Sequence, residues 1–260
     1  MELIETLSQN FFDAFYMGKF LGNTSLAISD LSLNEAYLVQ DKVIEKRKKR
    51  GETIVGYKVG CTSSAIQDQL GLKEPIYGRL LKPYFYREGT KLFWNDYVNC
   101  AIEPEMVLKI GKDIEGENLS NESLIEAIEY VSPGIEIHNF TFWFSPITSQ
   151  ELICSNGMHA GVVVGDSKVS PNNLSFGAEI FKVFKNGKLI TKASASEIMG
   201  GPLFSLRWLV RCLTRKNQFL NAGSFVIPGS PIKLIKINED MELMIEIDRV
   251  GSVTTKFINT

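Results

Sequence analysis

The first fifty residues carry the apolar spacing of helices. Apolar side chains recur every three or four positions over residues 2–17, at Leu3, Ile4, Leu7, Phe11, Phe12 and Phe15. A second helix is predicted from Ser32, because Ser32 and Glu35 fit a capping box in which each side chain binds a free backbone amide. This helix is predicted to end before Gly51, after a basic run that suits the negative end of a helix dipole.

Beyond residue 52 the pattern changes to short apolar or alternating runs that are broken by glycine, proline and asparagine. These runs predict strands at 53–60, 98–110, 134–140, 160–165, 178–185, 188–192, 224–228, 232–236, 241–248 and 252–258. Asn186-Gly187 predicts a hairpin turn, and helices are expected near 62–70, 119–130 and 202–214. Because helices and strands do not alternate regularly, we expect an α+β fold rather than a doubly wound parallel sheet.

Composition and charge indicate a globular protein and argue against nucleic-acid-binding and membrane-spanning proteins. The 260 residues are 44% hydrophobic and 22% charged, which is ordinary for a globular chain. The formal net charge is −2 with no basic half, so no nucleic-acid partner is expected, and the basic run 45–50 is interpreted as a solvated helix face. No apolar run approaches membrane-spanning length, and the first residues lack a secretory signal. Four dispersed cysteines without a CxxC pair favour the cytoplasm.

Candidate chemistry lies in the acidic residues of two predicted strands. Glu103 and Glu105 are two positions apart, so their side chains share one strand face. Converging carboxylates repel unless a cation lies between them, and Mg²⁺ prefers oxygen ligands. Glu136 stands between two isoleucines and also needs a partner. The alternative is a solvated strand face with Glu136 in a salt bridge.

The segment Gly56-Tyr-Lys-Val-Gly-Cys-Thr-Ser63 resembles a motif of the 2-oxopent-4-enoate (2-keto-4-pentenoate) hydratase family in the fumarylacetoacetate hydrolase superfamily. Further segments resemble the family in the same order, at 32–40, 101–107, 134–137, 156–165, 199–209, 222–230 and 251–253. The resemblance implies a helical N-terminal cap, here 1–51, and a β-rich catalytic body of mixed β-roll or barrel-like form, here 52–260. It also implies a homo-oligomer, Mg²⁺ or Mn²⁺ as cofactor, and a small 2-oxo acid substrate that chelates the ion.

The resemblance also implies roles for individual residues. Glu103, Glu105 and Glu136 would hold the metal, and Lys58 would move protons or steady the enolate, with a pKa lowered by the cation and apolar walls. Hydrogen-bond donors and other substrate contacts are expected at Thr62, Ser63, Tyr77, Arg79, Asn156 and Ser230.

Two departures from the family concern the acids that would activate water. Ile76 and Asn139 stand where hydratases tend to carry acidic residues. His138 and His159 are the candidate substitute bases, and the alternative for each is a histidine hydrogen-bonded in the core. The nearby aromatic residues Phe140, Phe142, Trp143 and Phe144 are interpreted as core or subunit contact, with a lid as the alternative.

The leading hypothesis is therefore a metal-dependent lyase that enolises a 2-oxo acid and hydrates a 2-oxo-4-alkenoate. A 2-oxo acid decarboxylase and an acylpyruvate C–C hydrolase stay open as enzymatic alternatives. A non-catalytic structural partner of a related enzyme is the alternative from another class.

Overall fold

A computed structural model describes residues 2–19, 28–139 and 147–259. The aromatic residues at 140–144 lie outside the described residues. The helices are α1 (Glu2–Met17), α2 (Leu33–Lys49), α3 (Ser64–Leu70), α4 (Asn121–Ala127), α5 (Ser149–Cys154) and α6 (Pro202–Thr214). None of these described helices is long and apolar enough to cross a membrane.

The N-terminal helices follow the predicted pattern. The capping box at α2 is confirmed: Glu35 N donates to Ser32 Oγ over 3.3 Å, and Ser32 N donates to the Glu35 carboxylate over 2.9 Å. The helices bury their apolar faces in one cluster with residues of later elements, among them Ile76, Ile153 and Met158. The N-terminal helices therefore share a core with the rest of the chain, and the division at residues 51 and 52 stays a prediction.

Thirteen strands in the described part of the chain form two sheets. They are β1 (Ile54–Gly60), β2 (Ile76–Leu81), β3 (Phe85–Arg87), β4 (Lys91–Phe93), β5 (Cys100–Ile110), β6 (Ile128–Asn139), β7 (His159–Val164), β8 (Ile180–Lys185), β9 (Lys188–Ser194), β10 (Phe225–Ile227), β11 (Ile235–Lys236), β12 (Met241–Ile247) and β13 (Gly251–Ile258). The first sheet has the order β2-β1-β10-β5-β6-β7-β3, with β11 also paired to β5. The second sheet has the order β4-β13-β12-β8-β9.

The long antiparallel pair β5–β6 is the centre of the first sheet. On its other side β5 pairs with β11 at Ala101 and Ile102 and with β10 at Leu108 and Lys109. Pro104 lies in the gap between those two short strands, and such a gap tolerates a residue without an N–H. Pro104 therefore has a locally edge-like position, although β5 as a whole is central.

The structure corrects several predicted boundaries. Strands β2, β3 and β4 were not predicted, and residues 128–130 belong to β6 rather than to the helix expected over 119–130. All six residues of β2 are buried, so they show no alternation that could mark a strand. The hairpin at Asn186-Gly187 is confirmed between β8 and β9, and both residues have the positive φ that such turns need, 48° and 76°.

Candidate active site

Strands β5 and β6 bring three carboxylates to one face of the first sheet. Glu103 is the cross-strand partner of Glu136, and Glu105 follows two residues later on the same strand. Glu105 and Glu136 are fully buried, whereas the Glu103 side chain keeps 24% of its exposure. The backbone amide of Gly229 donates to Glu105 Oε2 over 3.0 Å. This donor comes from the loop after β10, at the gap in the pairing of β5.

Both histidines join this cluster from β6 and β7. His138 Nε2 lies 3.1 Å from Glu103 Oε2 and 3.3 Å from Glu136 Oε2. His159 Nδ1 lies 2.8 Å from Glu136 Oε1. His138 and His159 are cross-strand partners next to a register shift between Ile137 and His138, and this irregularity lets both rings reach the same carboxylate.

Lys58 enters the cluster from β1. Its side chain is buried, Nζ lies 2.8 Å from Glu136 Oε1, and the same ammonium donates to the Gly157 carbonyl over 3.2 Å. Burial opposes the charge on Lys58, but the nearby Glu136 and Glu103 outweigh it and raise the Lys58 pKa. This direction is opposite to the one expected from the sequence, which counted a cation and apolar walls but not the buried carboxylates that surround the amine.

The two buried acids have opposite pKa shifts. Burial, followed by the charges of Glu136 and Glu103, raises the pKa of Glu105 well above its usual value. Burial also opposes ionisation of Glu136, but the charges of His138 and Lys58 lower the Glu136 pKa well below its usual value. Burial would lower the pKa of His138, and the adjacent Glu136 carboxylate raises it. Glu136 is thus the ionised centre of the cluster.

The arrangement can hold a divalent cation. Ligand atoms of Glu103, Glu136 and His138 all lie within 4.8 Å of one another. Glu105 Oε1, Glu136 Oε2 and both ring nitrogens of His138 are buried and have no hydrogen-bond partner among the described residues. Buried polar atoms are normally satisfied, so a cation is the partner that this donor set fits. Glu105 lies outside that group of three, and its role as a ligand stays a prediction.

Three of the predicted substrate contacts lie at the ends of strands that meet the site. Thr62 follows β1, is buried, and packs against Gly229, where an added Cβ would come within 2.6 Å of Thr62 Cγ2. Ser63 caps α3 by accepting from Ile66 N over 3.4 Å. Ser230 donates to the Ile232 carbonyl over 2.9 Å. These two hydroxyls have local structural bonds, so their roles toward a substrate stay predictions.

The other three predicted contacts are held by structural partners. The guanidinium of Arg79 donates to Gln40 and to Asp41 on α2. The Tyr77 hydroxyl accepts from Lys216 Nζ over 2.6 Å. Asn156 binds the backbone of residue 79 with both amide atoms, over 2.7 and 2.9 Å. The structure does not bring these side chains into the carboxylate cluster.

Sequence reasoning missed the backbone groups that complete the site. The Gly157 carbonyl holds Lys58, and the Gly229 amide holds Glu105. A backbone group carries no residue-type signal. The only signal in the sequence is that both residues are glycines. Both have a positive φ, 67° and 114°, which favours glycine.

The chain is similar to known proteins over most of its length. No protein-family model matches the chain. A 2-keto-4-pentenoate hydratase from Paraburkholderia xenovorans is 24% identical over 253 residues, which cover 97% of this chain and 94% of the relative. A 4-oxalocrotonate decarboxylase from a Pseudomonas species is 26% identical over 224 residues, 86% of each chain.

Solved structures confirm the predicted fold class. The 4-oxalocrotonate decarboxylase from Pseudomonas putida G7, complexed with magnesium and adipate, superposes with a TM-score of 0.93 at 22% identity and covers 99% of this chain and 98% of its own. Fumarylpyruvate hydrolase from Pseudomonas aeruginosa, in complex with Mn²⁺ and pyruvate, gives a TM-score of 0.60 at 14% identity, over 78% of this chain and 89% of its own. The chain is therefore similar over almost its whole length to curated 2-keto-4-pentenoate hydratases, and it has the fold of these solved structures.

Proposed function

We propose that this chain is a metal-dependent hydro-lyase that enolises a small 2-oxo acid and hydrates a 2-oxo-4-alkenoate, taken as its 2-hydroxy-2,4-dienoate form. The observation that carries the proposal is the buried ammonium of Lys58, 2.8 Å from Glu136 Oε1, beside two further carboxylates. The names of the relatives, which include hydratases of such substrates, support the same chemistry.

In this proposal Glu103, Glu105 and Glu136 hold the cation, which is Mg²⁺ or Mn²⁺. A bound divalent cation supplies Lewis-acid stabilisation of the negative charge that develops on an enolate oxygen. The protein supplies a dry, preformed cluster of ligands, because the carboxylates of Glu105 and Glu136 are fully buried before any substrate arrives.

The chain's own residues handle the protons. Lys58 Nζ contacts both the Gly157 carbonyl and Glu136 Oε1, so it has a fixed place from which to donate or accept a proton. His159 contacts the same oxygen of Glu136 and keeps that carboxylate oriented. Thr62, Ser63 and Ser230 supply hydroxyls from the adjoining loops for the substrate carboxylate. Tyr77, Arg79 and Asn156 instead form hydrogen bonds that join neighbouring parts of the fold.

Decarboxylation is the second candidate, and one observation favours it. Ile76 stands opposite Gly60 in the β1–β2 pair and is only 2% exposed, so the position where hydratases tend to carry an acid is apolar and dry. When a second carboxylate lies β to the 2-oxo carbonyl, directly or through a conjugated double bond, its loss as CO₂ leaves the electron pair in the enolate. This step needs no activated water, so the substitution would not impair it. The superposition with a decarboxylase supports this candidate as well.

The test is a substrate panel with the purified, Mg²⁺-loaded protein. It contains 2-hydroxypenta-2,4-dienoate and a 2-oxo acid with a β,γ-double bond and a terminal carboxylate. It also contains an acylpyruvate, because the His159–Glu136 pair could serve C–C hydrolysis. We expect the dienol absorbance to disappear without release of CO₂. CO₂ release from the diacid would assign decarboxylation instead. Normal Mg²⁺ binding with no turnover of any member would exclude enzymatic action on these substrates and favour the structural-partner alternative.

Two broader properties belong to the same proposal. We place the protein in the cytoplasm, since Cys61, Cys100, Cys154 and Cys212 are all free thiols. We also propose a homo-oligomer, as the family resemblance implies, and light scattering of the purified protein tests it. A monomer mass at micromolar concentration would contradict the oligomer.

A further inference from the structure

His138 is a buried imidazole that lies close to two carboxylates but forms no hydrogen bond within the described part of the protein. It is 2% exposed, and neither ring nitrogen has a hydrogen-bond partner among the described residues. Its Nε2 comes within 3.1 and 3.3 Å of two carboxylate oxygens, but it has the geometry of a hydrogen bond to neither. A polar ring at this depth needs a partner, and a cation between the three atoms would serve all of them.

The distances suit such a cation. Ligand atoms about 2.1 Å from an ion and at right angles to each other lie about 3.0 Å apart. The two separations from His138 Nε2, 3.1 Å to Glu103 Oε2 and 3.3 Å to Glu136 Oε2, are close to that edge length. Both separations from His138 Nε2 therefore have the spacing of neighbouring ligands around one octahedral ion, and ligand atoms of all three residues lie within 4.8 Å of one another.

The two oxygens of Glu136 have different surroundings. Oε1 lies 2.8 Å from Lys58 Nζ and 2.8 Å from His159 Nδ1, so it is already compensated. Oε2 has no hydrogen bond and lies on the side of His138. Lys58 and His159 thus orient the carboxylate so that its free oxygen and the free nitrogen of His138 point to one place.

We propose that His138 is a direct nitrogen ligand, and that the centre is therefore a mixed oxygen and nitrogen site that prefers a first-row transition ion such as Mn²⁺ to Mg²⁺. Mg²⁺ is a hard ion that takes oxygen ligands, whereas an imidazole ligand raises affinity along the transition series. This inference rests on the metal site of the proposed function, but it needs no particular substrate.

The experiment measures metal binding without substrate. Mn²⁺ and Mg²⁺ are titrated calorimetrically into the wild-type chain and into His138→Ala, His138→Gln and His159→Gln. Pulsed electron paramagnetic resonance of the Mn²⁺-loaded proteins reports directly bound ¹⁴N. We expect a ¹⁴N coupling in the wild type and in His159→Gln, and none in either His138 variant. We also expect removal of His138 to weaken Mn²⁺ about 10- to 100-fold and Mg²⁺ less.

Each outcome decides the inference. A ¹⁴N coupling that survives in His138→Ala, equal losses for both ions, or no Mn²⁺ binding to the folded wild type would overturn it. Circular dichroism in chelator shows whether each variant is folded, and His138→Gln replaces a variant that is not. Because binding is read without turnover, an inactive protein with a His138-dependent coupling would overturn the proposed function and leave this inference intact.

Discussion

At the scale of single residues, Glu136 is the side chain that Lys58, His138 and His159 all approach. It is a fully buried carboxylate with Lys58 and His159 on one oxygen and His138 beside the other. A buried carboxylate costs several kcal/mol unless it is paired and hydrogen-bonded. Lys58 therefore has two separate effects, since it compensates Glu136 and also offers a proton within the site.

Replacing Lys58 should separate these effects. Lys58→Met keeps the length and apolar stem but removes the proton donor, so we expect kcat to fall about 10²- to 10⁴-fold. Binding of Mn²⁺ should persist, because Glu103, Glu136 and His138 are unchanged. Steady-state kinetics and calorimetry measure the two quantities. The exposed Lys112→Met is the control and should behave as wild type, and a Lys58→Met enzyme with more than a tenth of normal kcat would show that the amine is not catalytic.

At the scale of elements, the first sheet and the N-terminal helices fix the backbone around the site. Arg79 on β2 is 7% exposed, and its guanidinium binds Gln40 and Asp41 on α2. Gln40 in turn donates to the carbonyls of Tyr77 and Ile153. This network joins α2, β2 and α5, and it accounts for an arginine within a wholly buried strand.

Arg79→Met should therefore affect stability more than substrate binding. Loss of the charged hydrogen bonds should lower the free energy of unfolding by about 2 kcal/mol, while KM changes less than threefold. Urea denaturation and steady-state kinetics measure the two effects, with the exposed Arg87→Met as control. A tenfold rise in KM at unchanged stability would instead support the substrate contact predicted from the sequence.

Strand β1, which carries Lys58, runs very close to β10 at Gly56. Gly56 pairs with Phe225, and a Cβ on Gly56 would stand 1.8 Å from the Phe225 carbonyl oxygen. Gly56→Ala must displace one of the two strands, so we expect a loss of about 3 kcal/mol of stability or more. Gly177→Ala is the matched control, since its nearest neighbour lies at 3.8 Å. Equal unfolding midpoints in urea for the two variants would contradict this view of the strand pair.

The sequence predicted those features of the fold and the site that depend on residues close together in the chain. The cap at Ser32 and the alternation of Glu103 and Glu105 are local, and both were predictable. The buried strand β2 shows no alternation, and Arg79 could be matched to Gln40 and Asp41 only in the folded chain. The approach of His159 to Glu136 depends on a register shift between β6 and β7, which residue types do not encode. Long-range pairing therefore limited the prediction of the site.

At the scale of the whole molecule, the site ties distant parts of the chain together. Its side chains come from β1, β5, β6 and β7, and the loop after β10 adds the Gly229 amide. A cation that binds these groups binds only the folded chain, because the unfolded chain separates them. Binding energy at the centre is therefore also folding energy for the first sheet.

Because metal binding stabilises the folded chain, we can predict how the metal and Glu105 change the free energy of unfolding. Saturation at 100 times Kd should add about 2.7 kcal/mol to the unfolding free energy of the wild type. In chelator, Glu105→Gln should be at least as stable as the wild type, because glutamine removes a buried acid whose Oε1 has no partner and whose neighbours are carboxylates. With Mn²⁺ the order should reverse, since the variant offers a weaker ligand. Urea unfolding of both proteins, with and without metal, measures the four values. An equal gain from metal in the two proteins would remove Glu105 from the ligand set and leave Glu103, Glu136 and His138 as the centre.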